Sequence, residues 1–352
     1  MHRLISFFIF LLSLWNSGFS ALADETPAPS TPHVALLLPL QSDTFGRVAT
    51  AFQQGFTAAG EFQLDLPVVV YPTGDQTADI LTAYRRLPQA GAVLVVGPLT
   101  RGAVTALLDE PLTLPTLALN MPESRKAIPE NLYLLNLNVE NEARQVARLA
   151  FSAERKSALT VTVDNPLANR IQSAFAEEWV KLGGTVKERL AFTPNQGGYP
   201  KLRTAITKNP ADILFIAADA TKARAIRPYL DRTIPTYATS LIYGINGEAG
   251  RNLDLNQIHF VEMPWFLQYD NPSVMLYSRP ASPMSVELER FYALGIDAYR
   301  LAILMLAEPI SKHNWPFDGV SGQITLDGQQ FTRELTAAQF RRGEAVVTRA
   351  AP

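Results

Sequence analysis

The chain has 352 residues, 47% of them hydrophobic, and a formal net charge of −2. That length supplies two lobes with cores of their own. The near-neutral charge tells against nucleic acid, which needs a basic face, and against holding anionic lipid by charge alone.

The N-terminus reads as an export signal. His2 and Arg3 precede the apolar run Leu4 to Leu14, and Ala21-Leu22-Ala23 fits the small-x-small cleavage pattern. Residues 1–23 are therefore expected to be a signal peptide, and the Pro-rich 24–32 a disordered leader. The expected location is the periplasm, in soluble form, because no later apolar run is long enough to span a membrane. The chain has no cysteine, which removes thiolate zinc sites, Cys nucleophiles and lipid attachment through Cys.

From His33 onward, short apolar strands alternate with amphipathic helices. Val34–Leu38 predicts a strand, and the spacing of Phe45, Val48, Ala49, Phe52 and Phe56 a helix. Strands follow at Pro67–Tyr71, Ala92–Val96 and Pro115–Leu119, with helices at Ala78–Leu87 and Ala103–Leu108. The rhythm restarts with strands at Ala158–Val163, Thr185–Leu190, Asp212–Ala217 and Pro235–Ala238. The helices between them are Leu167–Leu182, Tyr199–Ile206 and Thr221–Leu230. Uniformly apolar strands separated by helices imply parallel sheets covered on both faces. Two such sets in sequence imply two similar α/β lobes, with the link between them running through Leu132 to Asn138 and the helix after Val139. Gln268–Pro283 is irregular and Pro-rich; Val286–Leu306 is a long helix; Gly322–Asp327 and Ala345–Thr348 are β. The expected division is 33–138 with a return segment 268–316 for lobe 1, and 139–267 with the C-terminal segment 317–352 for lobe 2.

Ligands in such folds sit at the carboxyl ends of strands, where helix N-termini face a cleft. In Gly91–Gly102, GAVLVVGPLTRG, the strand runs into Gly97-Pro98 and then Thr100 and Arg101. Thr100 is a candidate N-cap, with free backbone N–H groups beyond it. The plainer reading is a tight turn and a cap only.

Several blocks carry a family resemblance. Val34-Ala-Leu-Leu-Leu-Pro-Leu40 and Val95-Val-Gly-Pro-Leu-Thr100 resemble type I periplasmic binding proteins. Tyr237-Ala-Thr-Ser240, Asp254-Leu255, Ile258-His-Phe260 and Glu262-Met-Pro-Trp265 resemble the block that marks the LppC/LpoA family of penicillin-binding protein activators. Arg290–Arg300 (RFYALGIDAYR) and Gly319–Asp327, with Arg333, are similar to that family's next blocks. The resemblance covers residues 33–347. It implies a two-lobed type I periplasmic-binding-protein-like fold, and a non-enzymatic regulator that stimulates class A penicillin-binding proteins in peptidoglycan synthesis by contact. Known members are lipoproteins with a helical-repeat domain before the binding-protein fold, and this chain has no Cys for lipid.

In amino-acid binders of the superfamily the pair after Gly-Pro-x is Ser-Ser or Ser-Thr, and the second hydroxyl contacts the ligand carboxylate. Arg101 stands at that second position, where a guanidinium would plug the cleft or reach a larger anion. Alternatively it is a solvated first-turn Arg paired with Asp109 or Glu110. Asn120, after the Pro115–Leu119 strand, is the next expected cleft residue; Asp219, Ser240 and Tyr243 follow lobe 2 strands and join the candidate ligand site. Each of these is also readable as a cap or loop residue. Trp265 and Phe266 are candidate partner-binding aromatics; the alternative packs Trp265 as core beneath the crossing between lobes, with Pro264 stiffening it.

Catalytic and metal motifs do not appear in the sequence: no Gly-x-Ser-x-Gly, P-loop, Gly-x-Gly-x-x-Gly or His-Glu-x-x-His. His33, His259 and His313 are not spaced as metal pairs, and Glu177-Glu178 reads as a solvated helix face. No cofactor, metal or nucleic-acid partner is expected. The alternative function is a solute-binding protein of an ABC importer, for an amino acid or other small polar ligand. A hydrolase assembled from distant carboxylates is the remaining reading.

Overall fold

The computed structural model describes residues 31–60, 66–192, 198–244 and 249–348. The expected signal peptide and nearly all of the expected leader lie outside these residues. In chain order the first lobe lays down β1 (His33–Leu38), α1 (Gly46–Gly60), β2 (Val68–Pro72), α2 (Thr77–Arg86), β3 (Ala92–Val96), α3 (Arg101–Leu107), β4 (Thr116–Ala118) and β5 (Leu132–Leu135). The chain then crosses into α4 (Val139–Ser152), β6 (Ser157–Val163), α5 (Pro166–Lys181), β7 (Thr185–Phe192), α6 (Gly198–Lys208), β8 (Ile213–Ala217), α7 (Ala220–Ile226), β9 (Thr236–Ala238) and β10 (Ile258–Glu262). It returns through the short helices α8 (Pro264–Leu267) and α9 (Pro272–Met275) into α10 (Val286–Ala307). Five strands finish it: β11 (Phe317–Asp318), β12 (Gln323–Asp327), β13 (Gln330–Glu334), β14 (Thr336–Arg341) and β15 (Glu344–Val347).

Among the described residues these strands form two sheets, ordered β11-β12-β13-β5-β4-β3-β1-β2 and β15-β14-β10-β9-β8-β6-β7. β1 to β5 and β6 to β10 pair in parallel, which gives the two expected α/β lobes. Central strands such as β1 and β8 are buried along their whole length, as apolar runs covered on both faces must be. The edge strand β7 carries Lys187, Glu188 and Arg189, charges that discourage pairing with another chain.

The C-terminal segment does not belong to one lobe. β13 pairs in parallel with β5 and draws β11 and β12 onto the first sheet, whereas β14 pairs antiparallel with β10 of the second. The expected assignment of 317–352 to lobe 2 is therefore corrected: 317–334 completes lobe 1, and only 336–347 extends lobe 2. Each lobe leaves one sheet edge open, and a chain that passes both edges pairs with both.

Tight backbone contacts account for Gly55, Gly97 and Gly295. α10 lies on α1 at Gly55 and Gly295. A Cβ on Gly295 would meet Phe52 O at 2.2 Å, and one on Gly55 would meet Tyr292 O at 1.9 Å. Gly97 has φ +116°, and a Cβ there would stand 2.1 Å from Leu37 O; the glycine is required both by the turn and by the adjacent strand.

Three crossings join the lobes, at residues 136–138, between β10 and α10, and at Leu335. They are tied to one another. Gln145 of α4 clamps the third, with Nε2 donating to Leu335 O (2.7 Å) and Oε1 accepting from Leu335 N (3.0 Å). Arg333 Nε donates to Asn136 O at 3.0 Å, joining the first crossing to the third. Trp265 N donates to Val320 O at 3.0 Å. Arg290 reaches from α10 into lobe 2. Its Nη2 meets Glu262 Oε2 (2.5 Å) and donates to the carbonyls of Ser240 and Tyr243 (2.9 Å each). Glu262 is fully buried. Burial pushes its carboxyl up, against the pull of Arg290 downward. Burial lowers the Arg290 guanidinium, but Glu262's charge and hydrogen bonds outweigh it and hold the group above its ordinary value. Asp297 anchors the turn before β12, accepting from Val320 N, Ser321 N and Ser321 Oγ.

Candidate functional site

A cleft of about 690 Å³ lies between the lobes. Its lobe 1 wall comes from the carboxyl side of β3, β4 and β5: Arg101 at the start of α3, then Asn120 and the loop after it, then Asn136. Lobe 2 supplies the first turns of α4 and α5, with Asn138, Arg144 and Arg170. Both helices begin there because of their caps. Asn138 Oδ1 accepts from Asn141 N (3.0 Å), Asn165 Oδ1 accepts from Ala168 N (2.9 Å), and Pro166 opens α5, where no N–H is needed.

Of the six residues expected in a cleft, two line it. Arg101 is exposed at its wall and does not plug it, and the alternative pairing with Asp109 or Glu110 is not made either. Lys126 holds Asp109 at 2.7 Å and Arg85 holds Glu110 at 2.5 Å. Asn120 lines the cleft while its side chain also supports the loop, with Nδ2 donating to Leu99 O (3.0 Å) and Oδ1 accepting from Met121 N (2.9 Å).

The other four are placed elsewhere. Thr100 occupies the N-cap position of α3 but makes no side-chain cap, and its hydroxyl is buried without a partner. Asp219 caps α7 through Lys222 N (2.9 Å) and pairs with Lys222 Nζ (2.6 Å). Ser240 is buried between Glu142, which accepts from its N–H, and Arg290, which donates to its carbonyl. Tyr243 packs among Phe260, Phe266 and Phe340, and burial raises its phenol. The segment after β9 that carries Ser240 and Tyr243 turns into the lobe junction, where Arg290 holds both carbonyls.

The expectation that Trp265 and Phe266 face a partner is also corrected. Trp265 is 0% exposed and Phe266 2%. Trp265 Nε1 donates to Glu289 Oε1 (2.9 Å), and the Arg279 guanidinium covers the ring 3.7 Å from its centroid. An aromatic whose N–H and face are both satisfied inside the fold is core. The exposed large apolar side chains of this region are Tyr269, Met275 and Leu276. His259 is half-buried, stacked on Tyr237 at 4.9 Å, with Gln339 Nε2 3.0 Å from its Nε2. Among the described residues no cluster of three or more His, Asp and Glu is placed to hold a metal ion.

Sequence reading missed Asn136, Arg144 and Arg170. The same rule that pointed to Asn120 reaches Asn136, the first residue after β5, once Leu132–Leu135 is read as a strand and not as a linker. The two arginines sit one turn into helices that follow a crossing and a strand.

The family profile of the LppC putative lipoproteins matches residues 27–194 and 201–343. The chain belongs to the LppC family. As an LppC member it is similar to the penicillin-binding protein activator LpoA of Serratia proteamaculans, 29% identical over 321 residues, covering 79% of this chain and 47% of that protein. It is similar to LpoA of Yersinia pseudotuberculosis, 28% identical, covering 90% of this chain and 61% of that one. The chain thus spans about half the length of these curated relatives. Among solved structures, the LpoA C-domain of Haemophilus influenzae, described as a regulator of PBP1A, superimposes with a TM-score of 0.76 at 25% identity. That match covers 90% of this chain and 99% of the domain. A putative branched-chain amino acid ABC transporter protein from Chromobacterium violaceum gives a TM-score of 0.76 at 33% identity, covering 88% of this chain and all of that one. These neighbours bear out the two-lobed type I fold. No helix among the described residues is long and apolar enough to cross a membrane.

Proposed function

We propose that this LppC-family chain regulates a class A penicillin-binding protein in the periplasm, by direct contact and without chemistry of its own. The observation that carries this is the match to the LpoA C-domain, which spans 99% of a domain described as a regulator of PBP1A. The LpoA names of the longer relatives support it. Contact is the mode consistent with the site: the cleft gathers guanidinium and amide groups, which bind and orient, and the lobes are cross-tied at three crossings.

The test measures glycan polymerisation and peptide cross-linking by the same organism's class A synthase, with and without the purified chain. A saturable rise in either rate supports regulation, and Met275→Ser with Leu276→Ser then asks whether the exposed apolar side chains carry the contact. Unchanged rates together with no measurable binding would sink the proposal.

A second reading, solute capture for an importer, is favoured by one observation: the cleft is open at about 690 Å³ and Arg101 leaves it so. A cleft of that size accommodates a small molecule.

A further inference from the structure

We propose that the interlobe cleft binds a small multivalent oxyanion: an organic anion carrying two or more carboxylate or phosphate groups. This holds whether or not the chain touches a synthase, and it names a ligand class that differs from a zwitterionic amino acid.

Charge comes first. Arg101, Arg125, Lys126, Arg144 and Arg170 line the cleft, against two carboxylates, Glu123 and Glu140. The whole chain carries −2, so this excess of positive charge is local. Two of the cations are neutralised: Arg170 by Glu140 at 2.8 Å, and Lys126 by Asp109 at 2.7 Å. Arg144 donates to the amide oxygen of Asn141 (2.8 Å), which leaves its charge unbalanced. Arg101 and Arg125 are exposed, and among the described residues neither makes an ion pair. Three guanidinium groups are thus available in one concavity. Each presents a planar fork that matches a carboxylate or phosphate edge with two hydrogen bonds.

An independent observation lies on lobe 1's side of the cleft. Asn136 is 7% exposed and lines the cleft, and its Nδ2 has no hydrogen-bond partner. A buried amide donor left unpaired is costly, and native structures leave few of them. An anion oxygen in the cleft would satisfy it. Asn138 and Val139, at the start of the 14-residue α4, line the cleft from lobe 2, and the positive end of a helix favours negative charge.

The ligand's own charge follows from what is missing. An α-amino acid needs a carboxylate for its ammonium group, as well as donors for its carboxylate. Glu140 is committed to Arg170, which leaves Glu123 as the single carboxylate lining the cleft against three guanidinium groups. One carboxylate would leave two guanidinium groups unmatched. The volume of about 690 Å³ leaves room for a second and third anionic group.

The experiment is isothermal titration of the purified chain at an ionic strength of about 0.15 M, where exposed charges are screened beyond about 8 Å. The probes are citrate, tripolyphosphate, L-glutamate and L-leucine. The expected result is saturable binding of citrate or tripolyphosphate, at least about tenfold tighter than L-leucine. Whichever of the two binds more tightly identifies carboxylate or phosphate as the natural group. Arg101→Ser and Arg144→Gln should each weaken that binding about tenfold or more, as loss of a charge-assisted fork does. Arg203→Gln, an exposed arginine of α6 outside the cleft, should leave it unchanged. Thermal melts confirm that each variant is folded. Three outcomes overturn the proposal: no saturable heat from either multivalent anion at about millimolar concentration, L-leucine binding as tightly as they do, or Arg203→Gln losing as much as Arg101→Ser.

Discussion

Replacing Arg290 by Met tests whether the lobes are held by the charge pair at their junction. Arg290 is 7% exposed and Glu262 is 0% exposed. The substitution keeps most of the side chain's length and, among the described residues, removes every donor to Glu262 except Met263 N, 2.8 Å from its Oε1. It also strips the Ser240 and Tyr243 carbonyls of a donor. Breaking one side of a buried pair costs about 3–5 kcal/mol, because the remaining charge is left uncompensated. For lobes of this size class, at about 2–4 °C per kcal/mol, the melting temperature should fall by about 6–20 °C. The deficit should depend on pH. Burial already pushes the Glu262 carboxyl up, and without Arg290 the main charge that opposes this is gone. A carboxyl whose folded pKa lies above its unfolded value, about 4.3, stabilises the fold most below that value and loses the contribution as pH rises through the folded pKa. Arg290→Met should therefore be less deficient at pH 5 than at pH 8. The double variant Arg290→Met/Glu262→Leu, which removes both charges, should recover most of the loss. Thermal and urea melts of wild type, single and double variants at both pH values give the answer. A loss under about 1 kcal/mol, or a double variant no more stable than Arg290→Met, would refute the reasoning.

Trp265→Ala should cost about 3–5 kcal/mol, the usual result of emptying a buried indole site, without changing the folded protein's affinity for any partner; a selective loss of partner binding at unchanged stability would restore Trp265 as a contact residue. Burial, and then the nearby Arg341, hold the His259 imidazole below the ordinary value. The folded state therefore resists a proton that the unfolded state accepts. Stability from this group is complete above about pH 6.5 and is lost as pH falls from there through the folded pKa. His259→Phe should flatten that part of the pH–stability curve, and equal slopes for variant and wild type between pH 7 and 5 would contradict the assignment.

Much of the fold was legible because periodicity reports local structure directly. A continuous apolar run such as Val34–Leu38 or Asp212–Ala217 reads as a buried parallel strand, and β1 and β8 are buried throughout. Less was legible where the partner, and not the conformation, had to be known. The segment from Leu132 reads as a link, yet Leu132–Leu135 pairs with β4 on one side and β13 on the other. The candidate site was half visible. Arg101 and Asn120 follow strands whose ends face the cleft; Ser240 and Tyr243 also follow a strand, but Arg290 draws their backbone into the junction.

The sequence by itself determined the alternation of strand and helix, the two lobes and membership of the LppC family, because each depends on residue type and spacing along the chain. The tertiary structure alone decided three things. It divided the last strands between two sheets, since a strand's partner is whichever open edge it reaches. It buried Trp265, since an indole that anchors an interface and one that fills a core are the same residue until Glu289 and Arg279 close over it. And it brought Arg101, Arg125, Arg144 and Asn136 to one cleft, because four groups spread over 44 positions of chain become a single charged wall only when two lobes fold against each other.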